Sequence, residues 1–282
     1  MLVKDIMRKE FHCLYVPGSR DSVLELIKNH NLKLIPVLEK ATRKLLGAVT
    51  YQELIKNPDE EDLAMLMNRE PITIQMDVPI IEAIEKIIEN NCRILVVLDN
   101  NQVVGLLTVH LIVKNILTKK KFKAPIKPFV RVGITAIWDE TPIQVALYII
   151  QIAKIVIIPC IDNSGTLSGV LGYDQLMQES EVIEEEHSSS LSATEDYDWS
   201  WETADTLMIT KKHLQLSNKL IKDVMIKKAQ IQSVNELTPI KECAKKMRNH
   251  SLDQLPCLDV NDKFSGMIYD IDLLKVLLTS DK

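Results

Sequence analysis

The chain lacks long apolar runs, clustered cysteines and histidines at ligand spacing. Its longest apolar stretches, such as 153–161, are broken by Lys154 and stop at Asp162. They fall well short of the roughly 18 residues that span a bilayer. The opening M-L-V-K-D-I-M-R-K-E lacks the apolar core of a secretion signal, so a cytoplasmic location is expected. The five cysteines (Cys13, Cys92, Cys160, Cys243, Cys257) form no C-x-x-C. An odd number without an export signal suits a reduced compartment. Cys92, Cys160 and Cys257 lie in or beside apolar β-runs, where a free thiol acts as a small apolar group. Six dispersed histidines contain no H-x-x-x-H, so no metal is expected. A P-loop, a paired Cys/His set and G-x-S-x-G are all missing, which removes the usual carriers of catalysis.

Charge is unevenly placed. Residues 178–202 hold nine carboxylates and no lysine or arginine, and without them the formal charge of −5 becomes positive. Lysines 114, 119, 120, 121, 123 and 127 crowd another short stretch. Such blocks are most often solvated linkers and less often interaction surfaces.

What is present is a fourfold pattern. K-L-I-P-V-L (Lys33 to Leu38) precedes G-A-V-T-Y-Q-E (Gly47 to Glu53), and R-I-L-V-V-L-D (Arg93 to Asp99) precedes G-L-L-T-V-H-L (Gly105 to Leu111). I-I-P-C-I-D (Ile157 to Asp162) then leads to G-V-L-G-Y-D-Q (Gly169 to Gln175), and Q-L-P-C-L-D (Gln254 to Asp259) to G-M-I-Y-D-I-D (Gly266 to Asp272). From proline position to glycine the step is 11, 9, 10 and 10 residues, the mark of an internal repeat. Ahead of each β-run lies a helical stripe, as at Ile80, Ile81, Ala83, Ile84, Ile87 and Ile88. The β-runs are nearly all apolar, as in strands covered on both faces. Each repeat therefore reads as a β-α-β-β-α unit of an α/β fold whose apolar faces need a neighbour. Pairing one with two and three with four gives domains at 1–118 and 119–282. The second carries an acidic insertion at about 178–218, since the last glycine-to-glycine step is 33 residues longer than the one before it. Its serine run makes residues 180–198 read as poorly ordered, while Trp199, Trp201 and Leu207 suggest that its second half docks.

The pattern resembles the cystathionine-β-synthase (CBS) domain, a regulatory module found in tandem pairs. Supporting marks are K-D-I-M (Lys4 to Met7), K-D-V-M (Lys222 to Met225), and the helix starts D-S-V (Asp21), V-P-I (Val78) and T-P-I (Thr141 and Thr238). The layout is similar to stand-alone archaeal proteins with four CBS motifs, distantly like the γ subunit of AMP-activated protein kinase. The resemblance implies two tandem CBS pairs acting as a non-enzymatic sensor of an adenosine-containing ligand: AMP, ADP, ATP or S-adenosylmethionine. Four repeats fill the sequence and leave no room for a catalytic domain.

In that family the ligand cleft carries Gly-x-x-Thr/Ser-x-x-Asp. The hydroxyl residue opens a helix suited to phosphate, and the carboxylate accepts ribose hydroxyls. Carried over, repeat one offers Thr50 and Glu53, and repeat two Thr108 with Leu111 in place of the acid. Repeat three offers Gly172 and Gln175, and repeat four Tyr269 and Asp272. The base would lie against Ile35 and Pro36, or Leu255 and Pro256. Thr50 and Glu53 equally form a capping box, Thr108 equally caps its helix, and Asp272 beside Asp270 equally favours a helix N-terminus. For phosphate, Arg20, Lys33, Arg93 and His250 are available but have the character of ordinary surface residues. Lys4, Asp5, Lys222 and Asp223 are candidate neighbours. An interaction scaffold or nucleic-acid binder using the Lys114–Lys127 cluster is the alternative, although only Phe122 and Phe129 are near for stacking. An intrachain disk and a homodimer are both open.

Overall fold

The computed structural model describes all residues except 31, 58–59, 121, 123, 154, 156, 190–206, 262 and 280–282. Repeat one comprises β1 (Leu14–Val16), α1 (Arg20–His30), β2 (Leu34–Glu39), β3 (Leu45–Thr50) and α2 (Tyr51–Lys56). A short α3 (Leu63–Leu66) leads into repeat two: β4 (Thr73–Gln75), α4 (Ile80–Glu89), β5 (Ile94–Asp99), β6 (Gln102–Thr108) and α5 (Val109–Ile112). Repeat three has β7 (Ile137–Trp138), α6 (Ile143–Ala153), β8 (Ile157–Ile161), β9 (Leu167–Gly172) and α7 (Tyr173–Gln178). A hairpin of β10 (Ser180–Ser189) and β11 (Leu207–Leu216) follows, then α8 (Ile221–Val224) and β12 (Ile226–Lys227). Repeat four closes with β13 (Val234–Asn235), α9 (Ile240–His250), β14 (Gln254–Leu258), β15 (Phe264–Tyr269), α10 (Asp270–Leu273) and α11 (Lys275–Thr279).

The β-α-β-β-α order thus occurs four times. In repeats one to three the first strand runs parallel to the second, which pairs antiparallel with the third. The second strand is irregular one residue past the proline position in each: at Val37/Leu38, Val97/Leu98 and Cys160/Ile161. Pro79 and Pro239 sit at the N-caps of α4 and α9, where a missing N–H leaves no donor unpaired. The α4 stripe buries Ile80, Ala83, Ile84 and Ile87, and Glu82 and Glu85 stay exposed between them.

Two compact units result: Met1–Val132 with Val234–Cys257 and Gly266–Lys282, and Gly133–Ser233 with Leu258–Ser265. In the first, one core gathers Ile84, Ile87, Leu95 and Leu107 of repeat two with Cys243, Met247, Leu255 and Leu277 of repeat four. A separate cluster of Val23, Ile35, Val49, Leu63 and Leu66 serves repeat one. Val96, Leu98 and Leu106 of repeat two pack with Leu34 and Leu45 of repeat one. In the second unit, Ile143, Ile150, Ile158, Cys160 and Leu171 form the core of repeat three.

The acidic insertion departs from expectation. Residues 180–189, which the sequence reads as lacking structure, form β10, paired along its length with β11. The register sets Glu184 opposite Lys212 and Glu185 opposite Lys211. Residues 190–198, Trp199 and Trp201 lie outside the described residues.

A reciprocal crossing joins the repeats. The segment leading into each repeat lies across another repeat, beside the glycine that closes it. Arg8 and Leu106 exchange backbone hydrogen bonds (2.9 and 3.0 Å), as do Asn68 and Ala48 (both 2.9 Å) and Arg131 and Met267 (2.8 and 3.0 Å). Ile226 pairs with Val170 in the same way. A Cβ on Gly47, Gly105, Gly169 or Gly266 would collide with the crossing carbonyl oxygen. The recurring glycine is therefore the point where a foreign strand must touch the backbone.

Candidate functional site

The four helix starts that follow the repeat glycines differ in what occupies them. In repeat one the Glu53 carboxylate accepts from the Thr50 backbone N–H at 2.9 Å and from the Thr50 hydroxyl. That geometry satisfies a helix-start donor locally. Ile35 and Pro36 are buried in β2, opposite Val49 and Ala48. In repeat two Thr108 caps α5, accepting from Leu111 N–H at 3.2 Å, with no carboxylate beside it. In repeat three the Gln175 side-chain carbonyl accepts from Gly172 N–H at 3.1 Å.

Repeat four is built differently. Its N-cap, Tyr269, makes no side-chain capping bond, and the acids at the first and third helical positions are both buried. Asp270 and Asp272 are each only 2% exposed. Buried carboxylates need partners, and each has one brought from another part of the same unit. Arg93 donates through Nη2 to both oxygens of Asp270, at 2.8 and 2.6 Å. Arg93 also meets Asp253 at 3.0 Å, and Lys33 pairs with Asp253 at 2.7 Å. Burial, opposed by Arg93, pushes the Asp270 carboxyl up to about 6.

Asp272 accepts from Arg131 Nε at 2.5 Å and Nη2 at 3.2 Å, and from Lys275 Nζ at 2.8 Å. The Arg131 guanidinium stands 4.6 Å from the centre of the Tyr269 ring, a cation–π contact. Hydrogen bonding to Asp272 raises the Arg131 pKa further, against some desolvation. A recess of about 70 Å³ lies here, lined by Ile88, Asn91, Arg131, Ile271, Asp272 and Lys275. Leu255 and Pro256 are buried in β14 of the same repeat. Arg131, half exposed, is on the segment that crosses Gly266, so the crossing itself delivers the guanidinium to the carboxylate.

The basic residues singled out from the sequence have other engagements. Arg20 donates to the carbonyls of Leu54, Asn57 and Glu60 (3.2, 2.7 and 3.4 Å), holding the end of α2. Lys33 and Arg93 belong to the Asp253–Asp270 network, and Arg93 is thereby more than an ordinary surface residue. His250 is exposed at the end of α9. Lys4 pairs with Asp77 and Lys222 with Glu140, at 2.7 and 3.0 Å, while Asp5 and Asp223 accept from the backbone N–H groups of Leu2 and Leu220. Within the basic cluster Lys114, Lys119 and Lys120 are exposed, Lys127 meets Glu236 at 3.4 Å, and residues 121 and 123 lie outside the described residues. Sequence reasoning missed Arg131 and Lys275. The residues that cross the glycines are Asn68, Arg8, Ile226 and Arg131, and the helix starts after those glycines carry Glu53, Leu111, Gln175 and Asp272. Only the last combination pairs a cation with an acid.

Among the described residues no three His, Cys, Asp or Glu side chains are placed to hold a metal, and no helix is long and apolar enough to cross a membrane.

The repeated β-α-β-β-α order and the crossed lead-in segments define a CBS-type module. The chain belongs to the CBS domain family, which matches residues 3–60, 61–118 and 221–279, well over half of its length. A protein of known structure from Pyrococcus horikoshii is similar over 98% of this chain and 100% of its own, with 23% identity and a TM-score of 0.70. MJ1225 of Methanocaldococcus jannaschii, described as a proposed archaeal homologue of γ-AMPK, covers the same shares with 16% identity and a TM-score of 0.72. At these identities the likeness is one of fold. Bacillus subtilis YlbB is 23% identical over 114 residues, 38% of this chain and 76% of that protein.

Proposed function

We propose that the protein is a non-enzymatic regulatory sensor that binds an adenosine-containing ligand between paired CBS repeats. The pairing read from the sequence is repeats one and two (1–118) and repeats three and four (119–282). Membership of the CBS family supports the class of function. One observation carries the choice of site: Asp272 is a buried carboxylate at the third helical position of α10, and it is not consumed by capping its own helix.

In this reading Asp272 accepts the ribose hydroxyls, Tyr269 lies beside it, and Leu255 and Pro256 bound the space for the base. Thr50 and Glu53, with Ile35 and Pro36, form the corresponding set in repeat one, but Glu53 is turned back onto Thr50. Thr108 serves as a cap. Binding alters partner affinity to the extent that the ligand prefers one conformation over another.

The test is thermal unfolding of the full chain with AMP, ADP, ATP and S-adenosylmethionine. A ligand that binds only the folded state raises the midpoint with concentration. Asp272→Ala is expected to weaken binding about 10- to 100-fold, the loss of one hydrogen-bonded charged group. Glu53→Ala is expected to leave it unchanged. An equal loss in both variants would move the site out of repeat four.

A further inference from the structure

A second recess in the first unit lies apart from Asp272, between α4 and α11. Its volume is about 330 Å³, within the roughly 300–1,000 Å³ of pockets that hold small molecules. Ile80, Ile81 and Ile84 of α4 form one wall. Leu277 of α11 and Ile116 of the helical turn Val113–Leu117 supply the others, with the exposed Met1 and Pro79 alongside. The Met1 carbonyl accepts from Ile80 N–H at 3.1 Å, which ties the lead-in segment to the start of α4. Lys120 is the one charged residue of the lining. Its N–H donates to the Ile116 carbonyl at 2.9 Å, so the same turn that gives an apolar wall carries the ammonium. Lys120 is exposed, and no carboxylate among the described residues pairs with it.

We infer that this recess is a separate ligand site that takes a soluble single-chain carboxylate, its apolar tail among the isoleucines and its anionic head at Lys120. A hydrocarbon tail gains from burial in proportion to the area it removes from water. The carboxylate gives the unpaired ammonium a charge-assisted hydrogen bond, which a neutral chain cannot. A nucleotide does not suit these walls. Lys120 is the only polar side chain there, so base and ribose would be buried without partners, at a cost. The recess spans α4 of repeat two and α11 of repeat four, whose Ile84 and Leu277 belong to one core. An occupant therefore braces the junction of those two repeats. The inference does not rest on the adenosyl reading.

The experiment is calorimetric titration of the full chain with hexanoate, octanoate and decanoate below their micelle thresholds, and with decanol, repeated with Ile81→Trp and Lys120→Gln. Each added methylene is expected to tighten binding about two- to fourfold, the worth of burying one such group. Ile81 is half-buried at the recess, and Ile81→Trp, which fills the space, is expected to abolish decanoate binding. Lys120→Gln is expected to weaken decanoate about three- to tenfold, since an exposed pair is worth little more, and to leave decanol unchanged. Should Ile81→Trp fail to fold, the chain-length series and Lys120→Gln decide. No saturable decanoate binding, an affinity indifferent to chain length, or equal binding by wild type and folded Ile81→Trp overturns the inference. Equal losses of decanoate and decanol in Lys120→Gln overturn the anionic head. Capture of the chain by phosphatidylglycerol vesicles without binding of free decanoate assigns the recess to a membrane lipid and overturns the soluble ligand.

Discussion

A Cβ placed on Gly105 would lie 2.6 Å from the main-chain carbonyl oxygen of Arg8, closer than non-bonded atoms approach. The Arg8 segment is fixed there by two hydrogen bonds to Leu106. Gly105→Ala must push that segment off the sheet or strain β6. A destabilisation of about 1–3 kcal/mol is expected, the range for overpacking in a tight interior. Urea unfolding measures it, and an unchanged midpoint would mean that the crossing is looser than described.

Arg93→Ala leaves Asp270 buried without its guanidinium. Removing one partner of a buried pair costs about 3–5 kcal/mol when the other must stay charged. Asp270 has an escape, because its carboxyl already titrates at about 6 and will take a proton when Arg93 is gone. Unfolding at pH 7 should show a clear loss, and at pH 5 a smaller one. Equal losses at both pH values would show that the carboxyl does not respond.

The sign of the pH dependence in the wild-type chain follows from the same group. Burial, partly offset by Arg93, raises the Asp270 pKa from 3.8 to about 6. Between these values the folded chain holds a proton that the unfolded chain has released, so this group's contribution to stability falls as pH rises and levels off above about 6. Asp270→Asn should lack that slope. Parallel stability–pH curves for wild type and variant would contradict it.

Cys160 and Cys243 are buried, and desolvation pushes each thiol up to about 12. The thiolate is the reactive form. Neither residue should be alkylated at pH 8 until the chain unfolds, whereas the half-buried Cys13 should be modified in the native protein. Mass spectrometry of a brief iodoacetamide pulse distinguishes them, and early labelling of Cys160 or Cys243 would show that its unit opens easily.

Much of this architecture was legible in the sequence because it repeats. The proline-to-glycine spacing located all four strand pairs, including β8 and β9 of repeat three, which lies outside the family matches. The isoleucine stripe of α4 marked its buried face. What could not be read depends on contacts between distant segments. Arg131 and Asp272 are 141 residues apart, and Arg93 and Asp270 are 177 apart. Nothing local to Arg131 marks it, and only the crossing of its segment over Gly266 brings it to the acid. The serine-rich stretch misled for a related reason: its local composition argues against structure, but the partner strand of β10 is β11, which begins only at Leu207.

The most direct test of the sensor account is the stoichiometry of AMP binding to the full chain, measured by equilibrium dialysis for wild type, Asp272→Ala and Glu53→Ala. The account predicts saturation of a site that Asp272→Ala weakens at least tenfold and Glu53→Ala leaves intact. No saturable binding to the folded wild type, or a site indifferent to Asp272→Ala, would contradict it.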